Sequence, residues 1–166
     1  AKAEGYLYGN PDAIARVANR TVPKGDVLEV ARAAGIIAAK RCSDMIVFCH
    51  PIPLDWVEIN FEVEPEHIRV IAEVRSVWKT GVEVEAITGV TGALLNAYDM
   101  LKPLDTELSF GGIRVMKKRG GNITVSNEAT PTIVAVNSGT STKILDADDE
   151  INNIIISNTN KTIRKE

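Results

Sequence analysis

Two cysteines and two histidines are all that this 166-residue chain contains of either type: Cys42, Cys49, His50 and His67. They form no C-x-x-C pair and have none of the usual zinc-ligand spacings, so neither a disulfide framework nor a metal site is expected. A reducing compartment, the cytoplasm, is the simpler expectation. Basic charge is not in excess. The net charge of −3 argues against a nucleic-acid-binding surface, which needs cations to displace counterions. Long apolar runs are missing as well. Met45–Phe48 and Ile154–Ile156 are far too short to span a bilayer. No signal peptide is visible, so no membrane partner is expected. No internal repeat stands out.

What remains is ordinary for a globular chain: 45% hydrophobic and 25% charged residues. The length suffices to bury a core as one domain with an appendage. Glu4–Tyr8 reads as a short strand. Asn10-Pro11 reads as an N-cap and first-turn proline for a helix reaching about Ala18. Asp26 caps a second helix, with Glu29 three residues on as in a capping box. Val27, Val30, Ala34, Ile37 and Ala38 follow its helical period, and Lys40 and Arg41 close it, where cations suit the dipole.

From Trp56 the period falls to two. Val57, Ile59, Phe61 and Val63 alternate with polar residues, as do Ile68, Val70, Ala72 and Val74. This predicts a hairpin turning at Pro65-Glu66-His67. A long helix is predicted from about Val82 to Lys102, ended by Pro103. Gly89 and Gly92 inside it suggest close packing against another backbone. Gly112–Met116 is a further strand, ended by Gly120-Gly121.

The order strand, helix, helix, strand, strand, helix, strand predicts an α+β ferredoxin-like sandwich, an antiparallel sheet with helices on one face. The other face requires cover, from an oligomer partner or from the C-terminal segment. After Gly121 the composition turns to Asn, Thr, Ser and Ile. Strands are expected at Thr132–Val136 and Ile151–Ser157, and an acidic turn at Asp146–Glu150. The organisation expected is residues 1–121 as a catalytic domain and 122–166 as a C-terminal extension.

Several side chains could carry chemistry. Asp99 and Lys102 are three apart and share a helix face. Taken alone they read as a surface ion pair worth about half a kcal/mol or less. The functional alternative is an acid/base pair whose shifted pKa values let one give and the other take a proton near neutrality. Glu83 and Glu85 are two apart and cannot both face one way. The loop Lys79-Thr80-Gly81 before them could meet an anion at a helix start, or simply form a charged first turn. Lys24 beside a helix start suits a phosphate or a solvated loop equally. His50 lies between an apolar run and two prolines, which suits either a satisfied structural histidine or a positioned proton carrier. Cys49 lacks a dedicated base and is not expected to be a nucleophile. Lys24, Lys40, Lys79, Lys102 and Lys118 lie at element ends or in loops. Brought together, they would neutralise a triphosphate.

Five of these stretches, in order and spacing, resemble the MoaC family, the cyclic pyranopterin monophosphate synthases of molybdenum cofactor biosynthesis. They are Lys24-Gly-Asp-Val-Leu28, Ala34-Gly-Ile-Ile-Ala-Ala-Lys-Arg41, Cys49-His-Pro-Ile-Pro-Leu54, Lys79-Thr-Gly-Val-Glu-Val-Glu-Ala86 and Tyr98-Asp-Met-Leu-Lys102. The resemblance covers about residues 1–121. It implies a lyase that rearranges 3′,8-cyclo-7,8-dihydroguanosine 5′-triphosphate to cyclic pyranopterin monophosphate and releases pyrophosphate, with no added cofactor. It implies catalytic roles for Asp99, Lys102 and Lys24. It implies substrate contacts from Phe48, Cys49, His50, Glu83, Val84 and Glu85, with Lys40 and Lys118 among the phosphate-facing lysines. It also implies a homohexamer, a trimer of dimers, with the site between subunits. The chain departs from the family after Lys118, where Asn122 replaces a second lysine. A nucleotide-binding module without turnover, or a structural subunit gripping a neighbour through the tail, are the alternatives. Pyrophosphate release separates them from an enzyme.

Overall fold

The computed structural model describes residues 1–121 and, beyond them, the backbone of four strands at 125–126, 132–136, 141–145 and 154–157. Asn122 and the acidic turn expected at Asp146–Glu150 lie outside the described residues. Strand β1 (Lys2–Tyr8) leads into helix α1 (Pro11–Ala18) and helix α2 (Val27–Lys40). A one-turn helix α3 (Cys42–Met45) follows, then the hairpin β2 (Trp56–Glu64) and β3 (His67–Arg75), helix α4 (Glu83–Leu101) and strand β4 (Ser109–Lys118). The sheet order is β2-β3-β1-β4, with the two-residue strand β5 (Val125–Ser126) on the outer edge of β4. All its pairings are antiparallel. The helices lie on one face, the α+β arrangement expected.

The caps follow the sequence. Asn10 Oδ1 accepts from Ala13 N at 2.8 Å, with Pro11 in the first turn. Asp26 Oδ1 accepts from Glu29 N at 3.3 Å. The expected capping box is only half formed, because the Glu29 carboxylate faces Arg32, 3.5 Å away. In the hairpin, Ile59 pairs with Ala72 and Val63 with Ile68, so the apolar sets of both strands point to the helices. His67, expected in the turn, is the first residue of β3. It pairs with Tyr8, and its ring lies 5.7 Å from that of Tyr6.

Helix α2 buries a different row from the one its apolar period suggests. Val27, Ala31, Gly35 and Ala39 are buried, whereas Val30 and Ile37 are 44% and 55% exposed. The reason is proximity to α4. A Cβ on Gly35 would lie 2.8 Å from Gly89 O, and one on Gly92 would collide with Ala38 Cβ. The expectation that Gly89 and Gly92 meet another backbone holds, and α2 supplies it with small residues at the seam. The two helices run antiparallel, with Gly35 beside Gly89 and Ala34 beside Gly92.

The sheet face away from the helices is polar. Glu4, fully buried, is held by Arg69 Nη2 at 2.5 Å and Arg114 Nη2 at 2.6 Å. Arg69 also reaches Glu62 at 2.8 Å. This network screens the middle of the face that the helices leave open.

The chain divides into two compact units, Ala1–Ser126 and Asn127–Glu166. The second contains an antiparallel three-stranded sheet, β6 (Thr132–Val136), β7 (Ser141–Leu145) and β8 (Ile154–Ser157). Strand β7 was not expected.

Candidate functional site

The singled-out side chains collect at two places, the two ends of α4. At its C-terminal end, Lys102 Nζ lies 2.6 Å from Asp99 Oδ1. From the loop before α2, Lys24 Nζ donates to Asp99 O at 2.8 Å and lies 3.3 Å from Oδ2. One carboxylate thus sits between two ammonium groups, all three half exposed. The antiparallel pairing of α2 with α4 makes this possible, since it sets the start of one beside the end of the other. The hydrogen bond from Lys102, then that from Lys24, holds the Asp99 carboxyl below its ordinary range. The same bond to Asp99 raises Lys102. The two shifts point away from neutrality. As they stand, both members are charged and paired with one another, the first of the two readings.

At the N-terminal end of α4, Glu83 Oε1 accepts from Lys118 Nζ at 2.6 Å, while its Oε2 is buried with no hydrogen-bond partner among the described residues. Burial is the largest single influence on Glu83 and opposes its ionisation, but the Lys118 hydrogen bond, a backbone hydrogen bond and the nearby positive charges together outweigh it and hold the carboxyl below its ordinary range. Glu85 points the other way round the helix, as spacing requires, and is only 3% exposed. It accepts from the Cys49 thiol at 3.2 Å. Burial, then Glu85, then Cys42 push that thiol up to about 12. A neutral thiol of this kind is a poor nucleophile.

The remaining residues flank this second end. Lys40 is exposed at the close of α2. Phe48 is 93% exposed and His50 is exposed beside it. Val84 lies on the first turn of α4, and its carbonyl accepts from Thr88 Oγ1 at 2.7 Å. Trp78 and Val77, in the loop before α4, are exposed as well. Sequence reasoning missed Cys42 and Thr88. Cys42 Sγ lies 3.7 Å from Cys49 Sγ and 3.3 Å from Thr88 Oγ1. Thr88 falls three residues after Glu85 on the helix, and that spacing is the one signal that could have joined it to the site.

Within one chain the two groups do not meet. Asp99 lies fourteen to sixteen residues beyond Glu85 and Glu83 on a single unbroken helix, about 21–24 Å along its axis at 1.5 Å per residue. One end offers a carboxylate flanked by two cations. The other offers the half-buried Glu83 carboxylate, the buried Glu85 carboxylate and Cys42 thiol, and exposed Lys, His and aromatic side chains. No helix among the described residues is long and apolar enough to cross a membrane.

Comparison with known proteins places the sequence that builds this site in a family. The model of the MoaC family matches residues 1–121. A "Cyclic pyranopterin monophosphate synthase" of a Roseiflexus species is 46% identical over 123 residues, covering 73% of this chain and 78% of its own. The protein of the same name from Corynebacterium efficiens is 43% identical over 121 residues, with the same coverage. That of Aquifex aeolicus is 40% identical over 121 residues, 73% of this chain but 48% of the longer relative. Over the residues that carry both ends of α4, the chain belongs to the MoaC family.

Proposed function

We infer that this chain is a cyclic pyranopterin monophosphate synthase. It converts 3′,8-cyclo-7,8-dihydroguanosine 5′-triphosphate to cyclic pyranopterin monophosphate and pyrophosphate, in molybdenum cofactor biosynthesis. The names of its relatives supply the product, and the family resemblance implies the triphosphate substrate and the release of pyrophosphate. The observation that carries the reading is Asp99 held between Lys24 and Lys102, which a binding module without turnover would not need.

A triphosphate that keeps one phosphate as a cyclic ester must lose pyrophosphate. A substrate hydroxyl oxygen bonds to the α-phosphorus as the bond to the β-phosphate oxygen breaks, so the enzyme is a phosphorus–oxygen lyase. Asp99, ionised, is the acceptor for the hydroxyl proton. Lys102, held protonated, is suited to donate toward the departing oxygen, and Lys24 offsets phosphate charge. Phe48, Cys49, His50, Glu83, Val84, Glu85, Lys40 and Lys118 belong to the substrate-binding end in this reading.

The span between the two ends of α4 exceeds what one substrate bridges. The reading therefore includes a homo-oligomer in which the Asp99 end of one chain meets the Glu83 end of another; the family resemblance implies that it is a hexamer, a trimer of dimers. Residues 1–121 form the catalytic domain, 122–166 are an extension, and the enzyme works in the cytoplasm.

The deciding experiment incubates the purified chain with the cyclic triphosphate and follows pyrophosphate and the cyclic monophosphate. Stoichiometric appearance of both is expected. Tight substrate binding with neither product would favour the binding module instead.

A further inference from the structure

Where α2 gives way to α3, two thiols and a carboxylate converge from three separate parts of the chain. Cys42 comes from the first residue of α3, Cys49 from the loop after it, and Glu85 from the first turn of α4. One ligand atom of each lies within 4.8 Å of the other two. The sulfurs are 3.7 Å apart. Two thiolates on one tetrahedral zinc, each about 2.3 Å from it, stand about 3.8 Å from one another. The separation that binding requires is therefore already built.

Burial adds a second reason. Cys42 is 2% and Glu85 3% exposed. Among the described residues no Lys, Arg or His pairs with the Glu85 carboxylate, and its partner is the Cys49 thiol. A buried carboxylate without a counter-ion is costly. A cation drawn into the triangle would supply that charge.

We propose that Cys42, Cys49 and Glu85 form a binding site for a thiophilic divalent cation, zinc in the first instance. On binding, each thiol gives up its proton to solvent, two sulfur–metal bonds and one oxygen–metal bond form, and nothing is oxidised or reduced. Three protein ligands leave the fourth tetrahedral position open to water or another oxygen donor. Two thiolates select zinc or cadmium over magnesium, which prefers oxygen ligands. Thr88 is the positioning residue. Its hydroxyl donates to Val84 O and sits 3.3 Å from Cys42 Sγ. From there it can turn to donate to that sulfur once the thiol is ionised.

The spacing of the cysteines conceals the site. They are seven apart with no partner motif, and the third ligand lies 36 positions beyond Cys49.

The test reads metal rather than turnover, so it is independent of the catalytic reading. The full chain is stripped with a chelator, kept reduced with a phosphine, and titrated with cadmium while the sulfur-to-cadmium ultraviolet band is followed. Zinc is then measured by competition with a chromophoric chelator. One ion per chain with the charge-transfer band is expected. Cys42→Ser should weaken zinc by about tenfold or more and remove much of the band, while Glu85→Gln weakens zinc and keeps the band. Absence of the band in the unaltered chain overturns the proposal whether or not Cys42→Ser folds. So does equal zinc affinity in a folded Cys42→Ser chain, or a thiol count showing the two cysteines joined to each other under the same reducing conditions.

Discussion

Glu83 and Asp99 stand on the same helix yet face different surroundings, about 24 Å apart along its axis. Glu83 is gripped by Lys118 from β4, and Asp99 by Lys24 from the loop before α2. An assembly that joins opposite ends of two chains makes a complementation test possible. Lys102→Ala subunits mixed with Lys118→Ala subunits should regain activity, up to about a quarter of the unaltered level for random pairing. Lys24→Ala mixed with Lys102→Ala should regain little, because both losses fall at one end. Turnover of reassembled mixtures, with subunit exchange verified by mass, reads the result. Equal recovery in both mixtures would count against the shared site.

Asp99→Asn and Lys102→Ala should each lower turnover by about a hundredfold or more. Both side chains are half exposed, so each variant should stay folded with a stability close to that of the parent. Pyrophosphate release and urea unfolding are the paired measurements. Near-normal turnover in either folded variant would remove that residue from the chemistry.

Glu4 governs a pH dependence. Burial opposes its ionisation, but hydrogen bonds from Arg69 and Arg114 prevail and hold the carboxyl below the ordinary 4.5. A depressed carboxyl contributes stability that is present above its unfolded value and is lost as pH falls through its folded value. Stability should therefore decline as the acid range is entered. Glu4→Gln should flatten that limb and cost about 2 kcal/mol at neutral pH, because two arginines lose their partner. Urea unfolding across the acid range, parent against variant, measures both effects. Parallel pH curves would show that Glu4 is not the group responsible.

The helix seam yields a stability test. Gly92→Ala forces a methyl into Ala38. Overpacking of about 1–3 kcal/mol should exceed the gain of about 1 kcal/mol from better helix propensity. Gly111→Ala, with open space at its Cβ position, should be tolerated and serves as the control. A Gly92→Ala chain as stable as the parent would mean the seam opens readily.

Removing residues 124–166 should leave turnover within about tenfold, equivalent to roughly 1.4 kcal/mol of barrier. Steady-state pyrophosphate release with light scattering checks rate and assembly together. A truncated chain that assembles normally but is inactive would move the catalytic boundary into the tail.

The sheet was legible because its signal is local. Val57, Ile59, Phe61 and Val63 alternate through β2, and nothing in the hairpin competes with that period. The face of α2 was not, since Val30 and Ile37 keep its apolar period and yet lie outward. After Val27 its buried row is made of Ala31, Gly35 and Ala39, small residues set by how near α4 comes, and hydrophobicity does not encode nearness. The Asp99–Lys102 contact was legible from a spacing of three on a helix. Lys24 joins them across 75 positions, and Cys42 joins Thr88 across 46. Such contacts arise from the antiparallel docking of two helices, which no local window reports.

Gly92 falls midway along α4, where the helix meets α2 backbone against small side chains. Interfaces so tight are bistable or fixed rather than continuously deformable. In the oligomer proposed above, α4 then acts as a stiff lever with a different reaction centre at each tip. A displacement forced on the Glu83 tip by one substrate would be delivered undamped to the Asp99 tip, and so to a second substrate held with another neighbour.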